Sequence, residues 1–392
     1  MKKDLRLHKL YDLWDQSKKI QNLHKKYRGL CVACSGGPDS IALLHLLNEY
    51  KKRSNFLKEI SLIHINYELR GKESDADEAF VMQVAKHLKI RSFVYRPLDL
   101  QKQQYTQMNT QEWARNLRYL YFERLIAEGW LVAIGHNKDD LAENILFRMI
   151  RGSGPRDLSG MNEFHGSYWR PLLNISKKII LDYLSEQKTN FRIDSSNLKL
   201  LYSRNILRQK VFPVLEKISP SATHHIVRSS QQNADLLGYL LRTFDLKSKI
   251  IRNKNEWKLP IHFLAEIEEG AAICILAEFV QNFSEGQVHL FYDKLNLMLE
   301  SALQRSKIRQ FQLAENIFCK FCDGAIVLFR KNLQYYKELR FKQHEAGLTY
   351  KNYFFALNKD EEVDIFLFVV EEEVVIDCEV VIFYGYFFIF VL

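Results

Sequence analysis

Proline and glycine are scarce, with 7 and 16 residues in a chain of 392. That scarcity excludes a collagen-like repeat and a Pro- or Gly-rich linker protein, both of which need far more of these residues. Cysteine is equally sparse at six residues, so no disulfide framework is expected, and a reducing, cytoplasmic setting is. The longest apolar run, 380–392, falls short of the roughly 20 residues that span a bilayer, so no membrane partner is expected. The basic first residues are not followed by an apolar stretch, so no secretory signal is read there.

What is present is apolar and charged. Hydrophobic residues make up 47% and charged residues 26% of the chain, enough apolar surface to offset the entropy of ordering two or three domains. Lys and Arg number 56 against 47 Asp and Glu, a net charge of +9 that favours a polyanionic partner such as nucleic acid. Cys31/Cys34 and Cys319/Cys322 have the C-x-x-C spacing of zinc and iron–sulfur sites. Both pairs sit in strand-like runs, where residues three apart point to opposite faces, so no metal centre is read from them.

Short β-branched runs at 30–34, 60–65, 91–95, 131–134 and 169–173 alternate with helical periods at 41–50, 75–88, 111–127, 139–150, 177–187 and 203–216. This βαβ repetition predicts an α/β fold, a Rossmann-like parallel sheet with helices on both faces, binding its ligand outside the carboxyl ends of the strands. We expect a catalytic domain over 1–218, with a boundary near Pro220, and a smaller helical and α+β region over 219–342. The latter holds helices at 222–247, 263–283 and 287–304, then a hairpin of 315–322 and 325–330 turning at Asp323-Gly324. Residues 343–392 form an atypical segment, with acidic-hydrophobic strands at 364–370 and 374–376 and an aromatic run at 383–390; a buried edge strand and an incomplete domain are both open readings.

The strongest motif is Ser35-Gly36-Gly37-Pro38-Asp39-Ser40, directly after the first strand and opening the first helix. Two glycines let backbone N–H groups approach an anion, Pro38 suits a first helical turn, and the helix N-terminus carries about half a positive charge. The pattern predicts a pyrophosphate cradle in which Ser35 and Ser40 add hydroxyls. Asp39 beside phosphates makes sense with a Mg²⁺ between them. No Walker string occurs, and Gly152-Ser-Gly154 fails the dinucleotide pattern because Asp157 stands at the third glycine.

After the fourth strand comes His136-Asn-Lys-Asp139-Asp140-Leu-Ala-Glu143. Helical spacing brings the three carboxylates together at a helix start, which reads either as a cation site or as ordinary complementarity to the helix dipole. Arg115 and Arg118, three apart on one helix, read as a phosphate clamp or as a solvated basic stripe.

The loop resembles the PP-loop of the N-type ATP pyrophosphatases. Around it, His64, Leu69-Arg70, Ser74/Asp77, Glu112 with Arg115 and Arg118, Arg148 to Arg151 and Gly154, Arg170-Pro171, Asp194-Ser-Ser-Asn197 and Tyr202-Ser-Arg204-Asn205-Ile-Leu-Arg208 recur in the order of the tRNA(Ile)-lysidine synthetase family over about 29–216. Asn144, Asn137, Lys138 and Asn66-Tyr67-Glu68 depart from the family pattern, as does the tail after Lys342. The resemblance implies a ligase that adenylates the wobble cytidine of a CAU-anticodon isoleucine tRNA with ATP and Mg²⁺. L-lysine then displaces AMP to form lysidine. It further implies that Ser35–Ser40 bind ATP, that Arg115 stabilises the AMP phosphate, and that Asp140 and Glu143 hold the lysine ammonium. His136, Asp139, Glu112, Arg118, Arg151, Arg204 and Arg208 are further site candidates. Basic residues across 242–258 and Arg305, Lys307, Arg309, Arg330 and Lys331 are candidates for tRNA phosphate contacts or ordinary solvated surface; a homodimer is left open. The alternatives are a PP-loop tRNA thiolase, for which only Cys34 adjoins the loop, a synthetase acting on a small carboxylate, and a non-enzymatic tRNA-binding module.

Overall fold

The computed structural model describes residues 5–54, 57–98, 102, 110–192, 203–284, 288, 290–304, 310–314 and 316–331, with backbone alone for 5–9, 203 and five strand segments between 342 and 391. Asn109, 194–197, Tyr202, Arg305, Lys307, Arg309, Glu315 and the strands expected at 364–370 and 374–376 lie outside the described residues. Contacts divide the chain into two units, Met1–Phe244 and Asp245–Leu392.

The first unit is built on strands β1 (Gly29–Ala33), β2 (Ile60–Ile65), β3 (Arg91–Tyr95), β4 (Trp130–Ala133), β5 (Phe164–His165) and β6 (Tyr168–Trp169), in the order β3-β2-β1-β4-β6-β5. All neighbours pair in parallel except β5, which returns antiparallel on β6. β1 is central, with Cys31 opposite both Ser61 and Val132. Apolar runs with side chains buried on both faces are what a strand covered by helices on each side requires. Cys31 packs into one core layer and Cys34 into the other, as their three-residue spacing predicts.

One layer is formed by α1 (Leu5–Gln16), α2 (Pro38–Arg53), α3 (Lys72–Leu88) and α6 (Lys177–Glu186), and the opposite layer by α4 (Thr110–Ala127). Between α4 and α6 in sequence, α5 (Lys138–Ile150) follows β4. The N-terminal helices were not legible as part of the core. Yet Tyr11 and Trp14 are buried, with Tyr11 stacked on Tyr50 at 5.6 Å and Trp14 edge-on to Trp169 at 5.3 Å.

The strand expected over 169–173 stops at Trp169. Pro171 has no N–H to extend a ladder, and the chain instead turns through Leu173 N–H to Arg170 O and Ile175 N–H to Leu172 O, delivering itself to α6. Residues 203–218 are helical but contain a π-helical turn at Leu207–Val211. The long helix α7 (Ala222–Thr243) ends before a left-handed Asp245, φ +45°. Val227 of α7 shares a core with Leu141 and Ile145 of α5 and with Leu207 and Phe212. This packing keeps α7 in the first unit, so the division falls after Phe244 instead of near Pro220.

The second unit holds an antiparallel sheet, β7 (Ile251–Arg252), β8 (Glu256–Pro260), β9 (Gln310–Ala314), β10 (Ile317–Cys322) and β11 (Ala325–Arg330), ordered β7-β8-β11-β10-β9. Asp323 and Gly324, at φ +52° and +66°, make the two-residue turn between β10 and β11, both residues left-handed as such a hairpin demands. Helices Glu269–Phe283 and Tyr292–Ala302 add buried apolar side chains to this unit; the expected helix over 263–283 is instead two, Ile261–Ala265 and Glu269–Phe283, parted over 266–268. The aromatic run at 383–390 falls in a hairpin of Cys378–Phe383 with Tyr386–Val391. No helix among the described residues is long and apolar enough to cross a membrane.

Candidate active site

The loop Ser35–Ser40 leaves β1 at its carboxyl end and becomes α2. Gly36 sits at φ +87°, where an added Cβ would be strained and would lie 3.4 Å from Val81 and 3.6 Å from Arg192. Gly37 at the N-cap has no side chain with which to cap α2 and Pro38 follows in the first turn, so among the described residues the N–H groups of Asp39 and Ser40 are left for a ligand. Ser40 ties the loop internally: its hydroxyl donates to Gly37 O at 2.9 Å and accepts from Ser35 N at 3.2 Å. Gly135 in the β4–α5 connection lies against this turn, where a Cβ would come within 3.2 Å of Ser40 N, so only glycine fits without displacement. Outside the loop, Arg192 N donates to Gly36 O at 2.9 Å, and buried Asp77 holds Arg192 at 2.7 Å and Arg70 at 2.8 Å.

Asp39 accepts from Asn137 Nδ2 at 3.0 Å and pairs with Lys177 Nζ at 2.5 Å. Neither partner was predicted. A signal for Lys177 existed: a lysine in the first turn of a helix opposes the helix dipole, and here carboxylates answer it. Asp139 accepts from the Lys177 backbone N–H at 2.8 Å, so it caps α6.

The expected convergence of three carboxylates is therefore corrected. Asp139 turns to α6, while Asp140 and Glu143 face Arg208 of the π-helical turn. Arg208 Nε donates to Glu143 Oε1 at 2.6 Å, and Nη2 donates to Glu143 Oε2 at 2.8 Å and to Asp140 Oδ1 at 3.0 Å. This fork is the bidentate geometry that a planar guanidinium offers. The other oxygen of Asp140 closes a capping box, accepting from Asn137 N at 3.0 Å while Asn137 Oδ1 accepts from Asp140 N. Burial, with the charges of Asp39 and Glu143 adding to it, pushes the Asp140 carboxyl up to about 6, against the lowering effect of the Asn137 backbone bond and Arg208.

His136 stands on the same edge and accepts on Nδ1 from Arg170 Nε at 3.2 Å. Desolvation first, then the charges of Arg170, Arg118, Arg204 and Arg115, hold it well below the ordinary histidine range, at about 3. Arg118 also donates to the Tyr67 hydroxyl at 2.9 Å, and Arg115 lies over the Tyr119 ring. Arg151 and Arg204 both approach the Phe147 ring, at 5.2 and 6.0 Å. Glu112 is exposed in the first turn of α4, and among the described residues no contact draws it to the other candidates. Cys34 is buried below the loop, and desolvation pushes its thiol up to about 11, which disfavours a reactive thiolate.

Among the described residues no cluster of three or more His, Cys, Asp or Glu is arranged to hold a metal ion. Asp39 nonetheless suits Mg²⁺ in the mode that uses one carboxylate together with substrate phosphates, and a lysine ammonium already lies against its oxygen.

The sequence matches the PP-loop domain family over residues 12–215, more than half of the chain. Among curated proteins, a tRNA(Ile)-lysidine synthase from a strain of Bacillus cereus is 36% identical over 254 residues, 63% of this chain and 53% of the relative. One from Chlorobaculum tepidum is 35% identical over 238 residues, 59% of this chain and 70% of the relative. The chain belongs to the PP-loop domain family, in its tRNA(Ile)-lysidine synthase group. It spans about half the length of the Bacillus relatives it matches, at 51 to 53%. Among solved structures, a U34-tRNA thiolase from Methanococcus maripaludis with its [4Fe-4S] cluster aligns at 20% identity and a TM-score of 0.44, covering 56% of this chain and 80% of that one. As a PP-loop protein, the chain has its family match over the unit that carries the loop, Asp39, the Asp140/Glu143 pair and the arginines around His136.

Proposed function

We propose that this chain is a C–N bond-forming ligase that converts the wobble cytidine of a CAU-anticodon isoleucine tRNA to lysidine, using ATP and L-lysine. The C2 carbonyl oxygen of the cytidine attacks the α-phosphate of ATP, the bond to the β-phosphate breaks, and pyrophosphate leaves. The ε-amine of lysine then bonds to C2, the C2–O bond breaks, and AMP leaves with the oxygen.

The chain's own groups suit both halves. The uncapped start of α2 and the hydroxyls of Ser35 and Ser40 receive the pyrophosphate, and Arg115 balances charge on the AMP phosphate. Asp39 would hold Mg²⁺ against the phosphates, where the ion neutralises the leaving group. Asp140 and Glu143, already paired to a cation, take the lysine ammonium, and Asp140 accepts the proton that frees the amine. A carboxylate poised near 6 is matched to that task. Holding base, nucleotide and amine together contributes more than any proton relay, on the order of 7–11 kcal/mol. Arg242, Arg252, Lys258, Arg330 and Lys331 contribute phosphate contacts along the tRNA; Arg252 and Lys331 lie over aromatic rings of the second unit.

The observation that carries this reading is the chain Asp39–Asn137–Asp140, two hydrogen bonds of 3.0 Å that couple the phosphate loop to the carboxylate pair. The decisive assay is transfer of radiolabelled lysine to CAU-anticodon isoleucine tRNA, with methionine tRNA as control. Incorporation confined to the isoleucine tRNA supports the proposal. Pyrophosphate release without any tRNA, or sulfur transfer in place of lysine, overturns it.

A further inference from the structure

Arg170 is buried, and three bonds fix it in place: its backbone N–H donates to Glu163 O at 2.7 Å, Nη1 donates to Asn162 O at 2.8 Å, and Nε donates to His136 Nδ1 at 3.2 Å. A guanidinium has donors and no acceptor, and it does not give up its proton. The lone pair must therefore be on Nδ1, and the proton of the neutral imidazole on Nε2. That N–H has no hydrogen-bond partner among the described residues, and His136 as a residue is only half-buried. The largest charge effects on it come from cations: Arg170 after β6, Arg118 and Arg115 from α4, and Arg204 from the turn before the π-helix. A neutral N–H donor on a ring bonded to one guanidinium, with the positive charge of three more acting on it, is suited to an anionic oxygen.

We infer that Arg170 is a positioning residue that locks His136 in its Nε2–H form, so that this group donates to a phosphoryl oxygen of the bound nucleotide. In this tautomer Nε2 has no lone pair, so His136 is not the base that frees the lysine amine. The inference rests on the adenylation reading only for which phosphate is bound; the tautomer is a property of the ligand-free chain.

Nitrogen-15 NMR of the whole chain with labelled histidine is the test, and it needs no variant. The expected spectrum has His136 protonated at Nε2 and bare at Nδ1 near neutral pH, with Nε2 responding to α,β-methylene-ATP and not to tRNA alone. A proton on Nδ1, or no response to the nucleotide, overturns the inference. A response to tRNA alone moves the acceptor from nucleotide to RNA backbone and overturns the assignment to nucleotide. In pyrophosphate release, His136→Phe should lower kcat/KM for ATP on the order of ten- to hundred-fold. His136→Gln, which places an amide N–H near the Nε2 position, should recover much of that loss. Arg170→Met should lose the tautomer preference and fall with His136→Phe, the double variant being no worse than either single one. Equal activity of the Phe and Gln variants overturns the donor role. If wild-type protein releases no pyrophosphate with any tRNA while the NMR result holds, the adenylation reading fails and the tautomer assignment stands.

Discussion

Two helices begin at the carboxyl edge of the same parallel sheet, and they begin in opposite ways. α2 starts at Gly37, which has no side chain to cap it, with a proline in its first turn. α5 starts at Asn137 with a full capping box, its donors taken by Asn137 Oδ1 and its third residue, Asp140, bonded back to the cap. An open N-terminus receives an anion; a sealed one turns the same edge into a scaffold for carboxylates. The difference teaches that helix-terminus chemistry is decided by the cap residue. Asn137 also donates to Asp39, so the sealed helix steadies the open one.

The largest effect that sharpens this contrast is expected at the open end. Asp39→Asn removes the anionic partner of Lys177 and should reduce pyrophosphate release on the order of 10²–10³-fold, measured with CAU-anticodon tRNA. Next, at the sealed end, Asp140→Asn should lower lysine incorporation roughly 10²-fold while much of the pyrophosphate release persists. Equal loss of both steps would break the division of labour between the two helices.

A smaller effect is a pH dependence of the second step alone. Because the Asp140 carboxyl is pushed up to about 6, the KM for lysine should rise as pH falls through that value, with pyrophosphate release far less affected. The stability consequence has the opposite sign. A carboxyl whose folded pKa is raised contributes stability below its ordinary range near 4, and that contribution is lost as pH rises through about 6. Asp140→Asn should therefore flatten the stability profile between those values, read by urea unfolding at stepped pH. The smallest effect is structural: Asn137→Ala, which removes the cap, should cost about 1 kcal/mol in urea unfolding. No measurable cost would show that the capping box is dispensable.

Much of the fold was legible. The alternation of β-branched runs with helical periods set four central strands and their crossover helices, since period and turn residues are local properties. The strand at 169–173 was overextended because apolar character outweighed Pro171, and the N-terminal helices were missed because their aromatic anchors gain burial only against Tyr50 and Trp169. At the site, the place of the Ser35–Ser40 loop between β1 and α2 could be read, and the partners of the carboxylates could not. Helical spacing correctly paired Asp140 with Glu143 but wrongly added Asp139, whose oxygen caps a helix 38 residues further along.

By itself the sequence determined what could be written in one turn of backbone: a glycine pair before a proline, a helix behind it, and acids at three- and four-residue spacing. Only the tertiary structure decided which charge answers which. Arg208 reaches Glu143 across 65 residues, and Lys177 reaches Asp39 across 138. The physical reason is range. Backbone turns and caps are fixed by neighbours in the chain, whereas an ion pair between distant residues exists only once packing has placed the two helices within a few ångströms of each other.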